Sequence, residues 1–342
     1  GKTLCTGAIE FSVPPGGRAV LSIPEMGVAS AGSSVYIRFV FRAKRDMIWC
    51  KKGYEVCFDQ LCLREEKPEY IPGKLQKTEE GGSRAQDTGK ARLAETPLTY
   101  TVAANGTTYT IDRRHGTVSA VERDGRNLLE KPVEWNFFRA PTDNDHMKGD
   151  WYRAHLHEPD VKVYATSAEY FDDGVLIGIE HSFGWNMYQP FARARTGLYL
   201  YDSGELRVVT DAELSDKVTF LPRFGLRFFL AERFDRVRYY GYGPTESYID
   251  KHQAAYLGEF VTKVPELHED YIKPQENGSH WGCRYAEISD GCRTMRFTAE
   301  DHFSFQASNY TQEELAGKRH NYELEKSGYA VVCVDSGMAG VG

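Results

Sequence analysis

No eighteen consecutive residues of this 342-residue chain are apolar, so the sequence offers no candidate membrane-spanning helix. No basic stretch leads into an apolar one at its start. The first residue is Gly1 rather than Met, so this says nothing about compartment. Charge of one sign is not in large excess: 42 Lys and Arg against 49 Asp and Glu leave a net charge of −7. With no basic stripe, nucleic acid and anionic lipid are not expected as partners. Cysteine is scarce and odd in number, at seven, and the intervals at Cys50, Cys57 and Cys62 and at Cys283 and Cys292 match no zinc ligand spacing. Cys57 and Cys333 lie in apolar runs and read as small buried core residues. The Gly-x-Ser-x-Gly elbow, His-Glu-x-x-His and the phosphate loop are all missing. Long amphipathic helical periodicity is nearly absent, and no internal repeat aligns.

What the chain has is tyrosine (21), phenylalanine (18) and glycine (32), a composition that leans to β-structure. Hydrophobic residues make up 41 %, enough with the glycines to bury a core. Short alternating runs are separated by two-residue turn signals. Thr99–Val102 leads to Asn105-Gly106 and Thr107–Ile111, and Asp124-Gly125 follows Thr117–Val121. Asp173-Gly174 precedes Val175–Ile179, and Ser203-Gly204 divides Thr196–Leu200 from Leu206–Thr210. Asn-Gly and Asp-Gly tolerate the positive φ that tight hairpins need. The pattern describes a large antiparallel β-protein.

Three regions are expected. Residues 1–65 read as a small all-β unit with strands at 8–13, 18–23, 34–42 and 54–63, too few for a complete immunoglobulin-type sandwich. Residues 66–96, rich in Lys, Glu, Gly, Ser and Gln, read as an exposed, poorly ordered linker. Residues 97–342 read as one long β-rich domain. Within it, Thr311-Gln312-Glu313-Glu314 is a capping-box pattern for a one- or two-turn helix stopped at Gly317. A second short helix is expected around Trp151–Leu156.

Three loops hold residue types that do chemistry. Arg139–Asp145 sets Asp143, Asn144 and Asp145 together after a proline. Asp143 and Asp145 could offer oxygens to a hard cation, or act as a polar loop whose side chains bond locally. Tyr240–Tyr248, Gly-rich and aromatic, suits a loop moving over a sugar, or a hairpin corner. Pro274–Gly278 carries Glu276 and Asn277, with His280 and Trp281 just beyond. A glycosidase needs two carboxylates held roughly 5–10 Å apart, and sequence alone leaves such a pair open. The Asn-x-Ser/Thr matches at Asn105, Asn277 and Asn309 carry little weight.

Together these loops resemble one family. Trp135–Asp145 is similar to the R-A-P-T/L-D-N-D signature in the C-terminal domain of glycoside hydrolase family 2 β-galactosidases. In the same order, Tyr240–Tyr248 resembles G-x-G-P-x-E-x-Y, and Tyr271–Gly278 resembles Y-x-x-P-x-E-N-G. Ala307–Leu315 with His320-x-Tyr322 resembles S-x-Y-S/T-x-x-x-L…H-x-Y/L, and Gly340-Val341-Gly342 the start of a terminal G-V-G-G motif. Residues 1–65 are similar to the later half of the preceding immunoglobulin-like domain.

The resemblance implies an all-β fold: a galactose-mutarotase-like β-supersandwich preceded by a partial immunoglobulin-like β-sandwich. It implies that the catalytic glutamates, with a divalent magnesium ion and sodium, sit in an upstream (β/α)8 barrel, leaving no catalytic residue and no cofactor here. Gly243, Glu246, Tyr248, Glu276 and Asn277 are then the sugar-proximal loop candidates. Arg139, Asp143, Asn144, Asp145 and His320 are the interface or structural ones. Partners would be the barrel domains or a large subunit, a galactoside in the assembled enzyme, and further copies of an oligomeric parent. The family's pocket takes a Trp just beyond G-V-G, past Gly342. A natural small subunit and a truncated piece are both compatible. The compartment stays open between bacterial cytoplasm, towards which the cysteine pattern leans, and periplasm. Two other readings are kept: a freestanding carbohydrate-binding or structural module, and an aldose epimerase pairing His268, His280, His302 or His320 with Glu246 or Glu276.

Overall fold

Many strands are joined by short turns to the next in sequence, and every ladder among the described residues is antiparallel. The computed structural model describes residues 3–23, 34–66, 89–186, 188–216, 218 and 220–342. The chain divides into two units, 1–70 and 71–342.

In the first unit, β1 (Val35–Arg42) pairs with β2 (Glu55–Arg64) in a two-stranded sheet. These are two of the four strands expected there. Residues 8–13 and 18–23 alternate in sequence but enter no ladder. Alternation marks which face a strand would bury; a strand forms only where another offers its backbone groups. Cys57, expected inside, is exposed on β2, while Cys50, Cys283 and Cys333 are buried; all seven cysteines are free thiols.

The second unit begins with a five-stranded meander: β3 (Arg92–Glu95), β4 (Thr99–Ala104), β5 (Thr107–Asp112), β6 (Thr117–Arg123) and β7 (Arg126–Asn127). Asn105 (φ 45°) with Gly106, and Asp124 (φ 52°) with Gly125, turn its hairpins as their dipeptides foretell. The expected linker splits here. Residues 67–88 lie outside the described residues, but Arg92–Glu95, placed in the linker by composition, form a strand against β4, and Ala91 is buried. Four residues of ladder outweigh a polar composition.

After β8 (Leu129–Asn136) and the short helix α1 (Lys148–Arg153), a second meander follows: β9 (Asp160–Phe171), β10 (Gly174–Gly184), β11 (Ala192–Tyr201) and β12 (Leu206–Leu214). The helix lies three residues earlier than its sequence suggests. The remaining strands are β13 (Arg223–Ala231), β14 (Arg236–Gly243), β15 (Tyr256–Lys263), β16 (Ser279–Ser289), β17 (Thr294–Ser308) and β18 (Tyr329–Met338). With β8 they form a seven-stranded sheet in the order β15-β14-β16-β17-β18-β13-β8. Helix α2 (Gln312–Gly317) joins β17 to β18, and the Thr311 hydroxyl accepts the Glu314 N–H as its cap.

One core draws on all three sheets: Val102 and Ile111, then Val175, Ile177 and Leu198, then Leu230, Val237, Phe303 and Phe305. Each such side chain contributes about 1.5–3 kcal/mol by burial, and this apolar layer is what makes the unit a sandwich. A second cluster, Phe137, Phe138, Trp151, Leu156, Phe183 and Phe191, packs α1 and the segment after β8.

Candidate functional site

The motif segments singled out above come together as one interlocked group. Phe137 and Phe138 leave β8 buried and carry Arg139 inward, where its side chain is 1 % exposed. Both terminal nitrogens of Arg139 donate to the Asp145 carboxylate at 2.7 Å, and Thr142 adds its N–H and hydroxyl to the same carboxylate. Such a fork fixes a loop in one geometry. Arg139 also donates to the Gly340 carbonyl, and Thr142 to that of Val341. Asp250 accepts the N–H groups of Val341 and Gly342, so residues 340–342 are held from both sides.

Glu246 is the next joint. Its side chain is 6 % exposed. It accepts from Lys251 Nζ (2.5 Å), the Tyr271 hydroxyl (2.5 Å), the Gly278 N–H (2.9 Å) and the Tyr248 hydroxyl (3.3 Å). Burial pushes its carboxyl up, but these donors outweigh it and hold the pKa below the usual range. One carboxylate thus ties residues 246–251 to residues 271–278. The Ser247 N–H adds a bond to the Ser279 carbonyl, and the Glu276 N–H one to Ala140. Lys273 reaches Asp143 at 2.5 Å, and the Asn321 N–H bonds the Ile272 carbonyl.

Beneath these loops lies a buried charge cluster that sequence reasoning missed. Arg223, at the start of β13, is 3.3 Å from Glu276 and 3.1 Å from Asp335 of β18, and all three side chains are fully enclosed. Gln306 bonds both Glu276 and Arg223, Asn136 bonds Asp335, and Gln312 bonds Asn136. Burial, against the pull of Arg223, raises Asp335 to about 7 and raises Glu276 as well. One guanidinium faces two enclosed carboxyl groups, and burial favours the uncharged form of each. The available signal was a charge in each of two apolar strand runs, Arg223 before Phe224-Gly225-Leu226 and Asp335 after Val331–Val334.

Each candidate now has a place. Gly243 ends β14 and is buried: a Cβ there would meet the Tyr239 hydroxyl and the Phe260 ring. Tyr248, Glu276 and Asn277 are buried rather than facing solvent. Tyr240–Gly243 is strand, so the expected sugar-covering loop shortens to residues 244–248, pinned at Glu246 and Ser247. Gly278 holds φ +72°, with the Leu267 carbonyl where a side chain would begin, so the glycine of this motif is a backbone requirement. Trp281 lies half-buried on β16, not at a turn, against His252 and Tyr242. Asn144 and His320 are exposed, and His320 stacks on Tyr322.

Asp143 and Asp145 do not converge on a cation position: Asp145 is committed to Arg139 and Thr142, and Asp143 pairs with Lys273 at the surface. Among the described residues, the group with metal-ligand spacing is His155, His157 and Glu158, which sequence reasoning passed over although His-x-His-Glu spells it out. Burial lowers His280 to about 4, and it bonds the Tyr242 carbonyl; His302 pairs with Asp301 and His320 with Glu323.

Comparison with known proteins gives the relationship. The family described as "Beta galactosidase small chain" matches residues 103–342, and that described as "Beta-galactosidase, domain 4" matches residues 1–64. The chain is 36 % identical over 235 residues to a β-galactosidase of Actinobacillus pleuropneumoniae, a match covering 68 % of this chain and 23 % of that protein. It is 28 % identical over 312 residues to one of Staphylococcus xylosus, covering 91 % and 30 %. To one of Streptococcus thermophilus it is 27 % identical over 353 residues, covering 100 % and 32 %. The chain therefore spans about a quarter to a third of the length of these relatives.

Proposed function

Since the chain belongs to the β-galactosidase small-chain family, we propose that it is the non-catalytic C-terminal part of a family 2 β-galactosidase, supporting the catalytic barrel and shaping the sugar pocket. The parent, on this reading, hydrolyses terminal β-galactosides with retention of configuration, which takes two carboxyl groups about 5–5.5 Å apart. Those carboxylates, and the magnesium and sodium implied for them, belong to the barrel. Partners are the barrel domains or a large subunit, further copies in an oligomer, and the galactoside in the assembled site.

The observation that carries the reading is the interlocking of the motif segments. Arg139–Gly340, Glu246–Gly278 and Arg223–Glu276–Asp335 each join segments far apart in sequence. The Asp145 and Glu246 carboxylates are spent on arginine, lysine, tyrosine and backbone N–H groups. A carboxylate so engaged is a poor acid, base or nucleophile for substrate, but it makes a rigid loop platform on which a partner can build a pocket.

Complementation tests this. The upstream part of the parent, barrel included, is titrated with this chain while hydrolysis of an aryl β-galactoside is followed. Activity should be near zero for either alone and rise to saturation on mixing, and NMR of the first-formed sugar should show the β anomer. Hydrolysis well above buffer by this chain alone would sink the reading.

A further inference from the structure

Away from the interlocked motifs, the turn after α1 brings two imidazoles and a carboxylate to one point. We propose that His155, His157 and Glu158 form a binding site for a divalent transition cation of the zinc class.

His155 Nδ1 lies 3.0 Å and His157 Nε2 3.3 Å from the same oxygen, Glu158 Oε1, and all three ligand atoms lie within 4.8 Å of one another. For metal–ligand bonds of about 2.0–2.1 Å, the edge of a tetrahedron is about 3.3 Å. Both separations from Glu158 lie close to that edge, and the half-exposed Glu158 side leaves a further position open to water. Two imidazoles with one carboxylate select zinc, cobalt or nickel over magnesium or calcium, which prefer oxygen ligands.

The rings are held without help from an ion. His155 stacks on Trp185 with centroids 3.9 Å apart and planes 4° from parallel. His157 packs on Tyr152 (4.9 Å) and Phe138 (5.7 Å). The turn is fixed by the Leu156 N–H to the Trp151 carbonyl, with Leu156 buried, and by the left-handed backbone of His155 at φ 54°. Trp151, Trp185 and Tyr188 continue from this turn into a cavity of about 390 Å³. A cation would therefore meet rings already oriented, so little ordering is left for it to impose. His157 Nδ1 is buried with no hydrogen-bond partner. A ligand histidine normally donates its second N–H to an acceptor, so the site is expected to be weaker than a dedicated structural one.

The measurement is a titration of the whole chain, its thiols alkylated because Cys5, Cys57, Cys62 and Cys292 are exposed and would bind soft cations. Zinc alone is followed by calorimetry and thermal shift, and cobalt(II) alone by its visible absorption. One cation per chain is expected, with a low-symmetry cobalt spectrum and a higher melting temperature. Outer ligands alone are worth 10–100-fold in affinity, so removing an inner one should cost at least about tenfold. Glu158→Gln and His155→Asn are the variants, asparagine being chosen because it tolerates a left-handed backbone. His302→Gln, which alters another histidine–carboxylate pair, should change nothing. Binding untouched by Glu158→Gln and His155→Asn, or an equal response to calcium, overturns the assignment. No binding of zinc or cobalt by the folded chain overturns it too, and none of these outcomes bears on complementation of the barrel.

Discussion

Arg223 has no exposed side-chain surface, and its nearest charged neighbours are two carboxylates, Glu276 and Asp335. Taking it away leaves Asp335 buried without its counter-charge, which costs about 3–5 kcal/mol. Arg223→Met should therefore lower the urea midpoint sharply, and a loss under about 1 kcal/mol would mean that the three groups are not coupled. The pH dependence has a definite sign. With its carboxyl raised to about 7 from 3.8, Asp335 keeps a proton in the fold that the unfolded chain has given up. Its contribution is fully present below about pH 3.8 and is lost as pH rises through 7. Each pH unit in that window is worth up to about 1.4 kcal/mol. His280 and His181, held near 4 by burial, run the other way: their neutral forms stabilise the fold above 6.5, and that contribution is lost as pH falls towards 4. The discriminating comparison is wild type against Asp335→Asn. As pH drops from 8 to 5, the stability difference should move in favour of wild type, and a flat difference would place that proton elsewhere.

Loops and strands respond to different residues. The segments 244–251 and 271–278 contain few strand ladders, so side chains must hold them, and Glu246 provides four of the bonds. In Glu246→Gln the amide keeps an acceptor but brings two donors of its own towards Lys251 and Tyr271. Hydrogen exchange at residues 246–251 and 271–278 should speed up by about tenfold, equal to roughly 1.4 kcal/mol of lost local stability, with β16–β18 unchanged. Uniform acceleration through the sheet would instead make Glu246 part of the global unfolding unit. The elements most legible in sequence are those set by neighbours in the chain. Asn105-Gly106 and Asp124-Gly125 turn hairpins, and Thr311 caps α2. Those least legible depend on distant partners: Arg92–Glu95 is strand because β4 lies beside it, and residues 8–13 are not because no ladder reaches them.

At the scale of the molecule, the three sheets of residues 71–342 supply rigidity, and the motif loops collect where Arg139, Glu246 and Glu276 bind them together. The complementation experiment gains a second arm from this. Glu246→Gln should still complement the barrel, but with the half-saturation point moved to higher concentration, because the loop platform is looser while the core is intact. Wild-type behaviour of that variant would leave the loops without a part in assembly. The three candidates Tyr248, Glu276 and Asn277 are buried in this chain.

The all-β class, the hairpins and the membership of residues 103–342 in the β-galactosidase small-chain family are legible in the residues alone, because turn dipeptides, strand alternation and ordered motifs are local. The contacts those motif residues make emerge only when the chain is folded. Arg223 and Asp335 are 112 positions apart in the chain yet lie against each other, and His155 and Trp185 stack from opposite sides of a hairpin. Burial is a property of the assembled layers, and it is burial that makes Glu276 one member of an enclosed ion cluster.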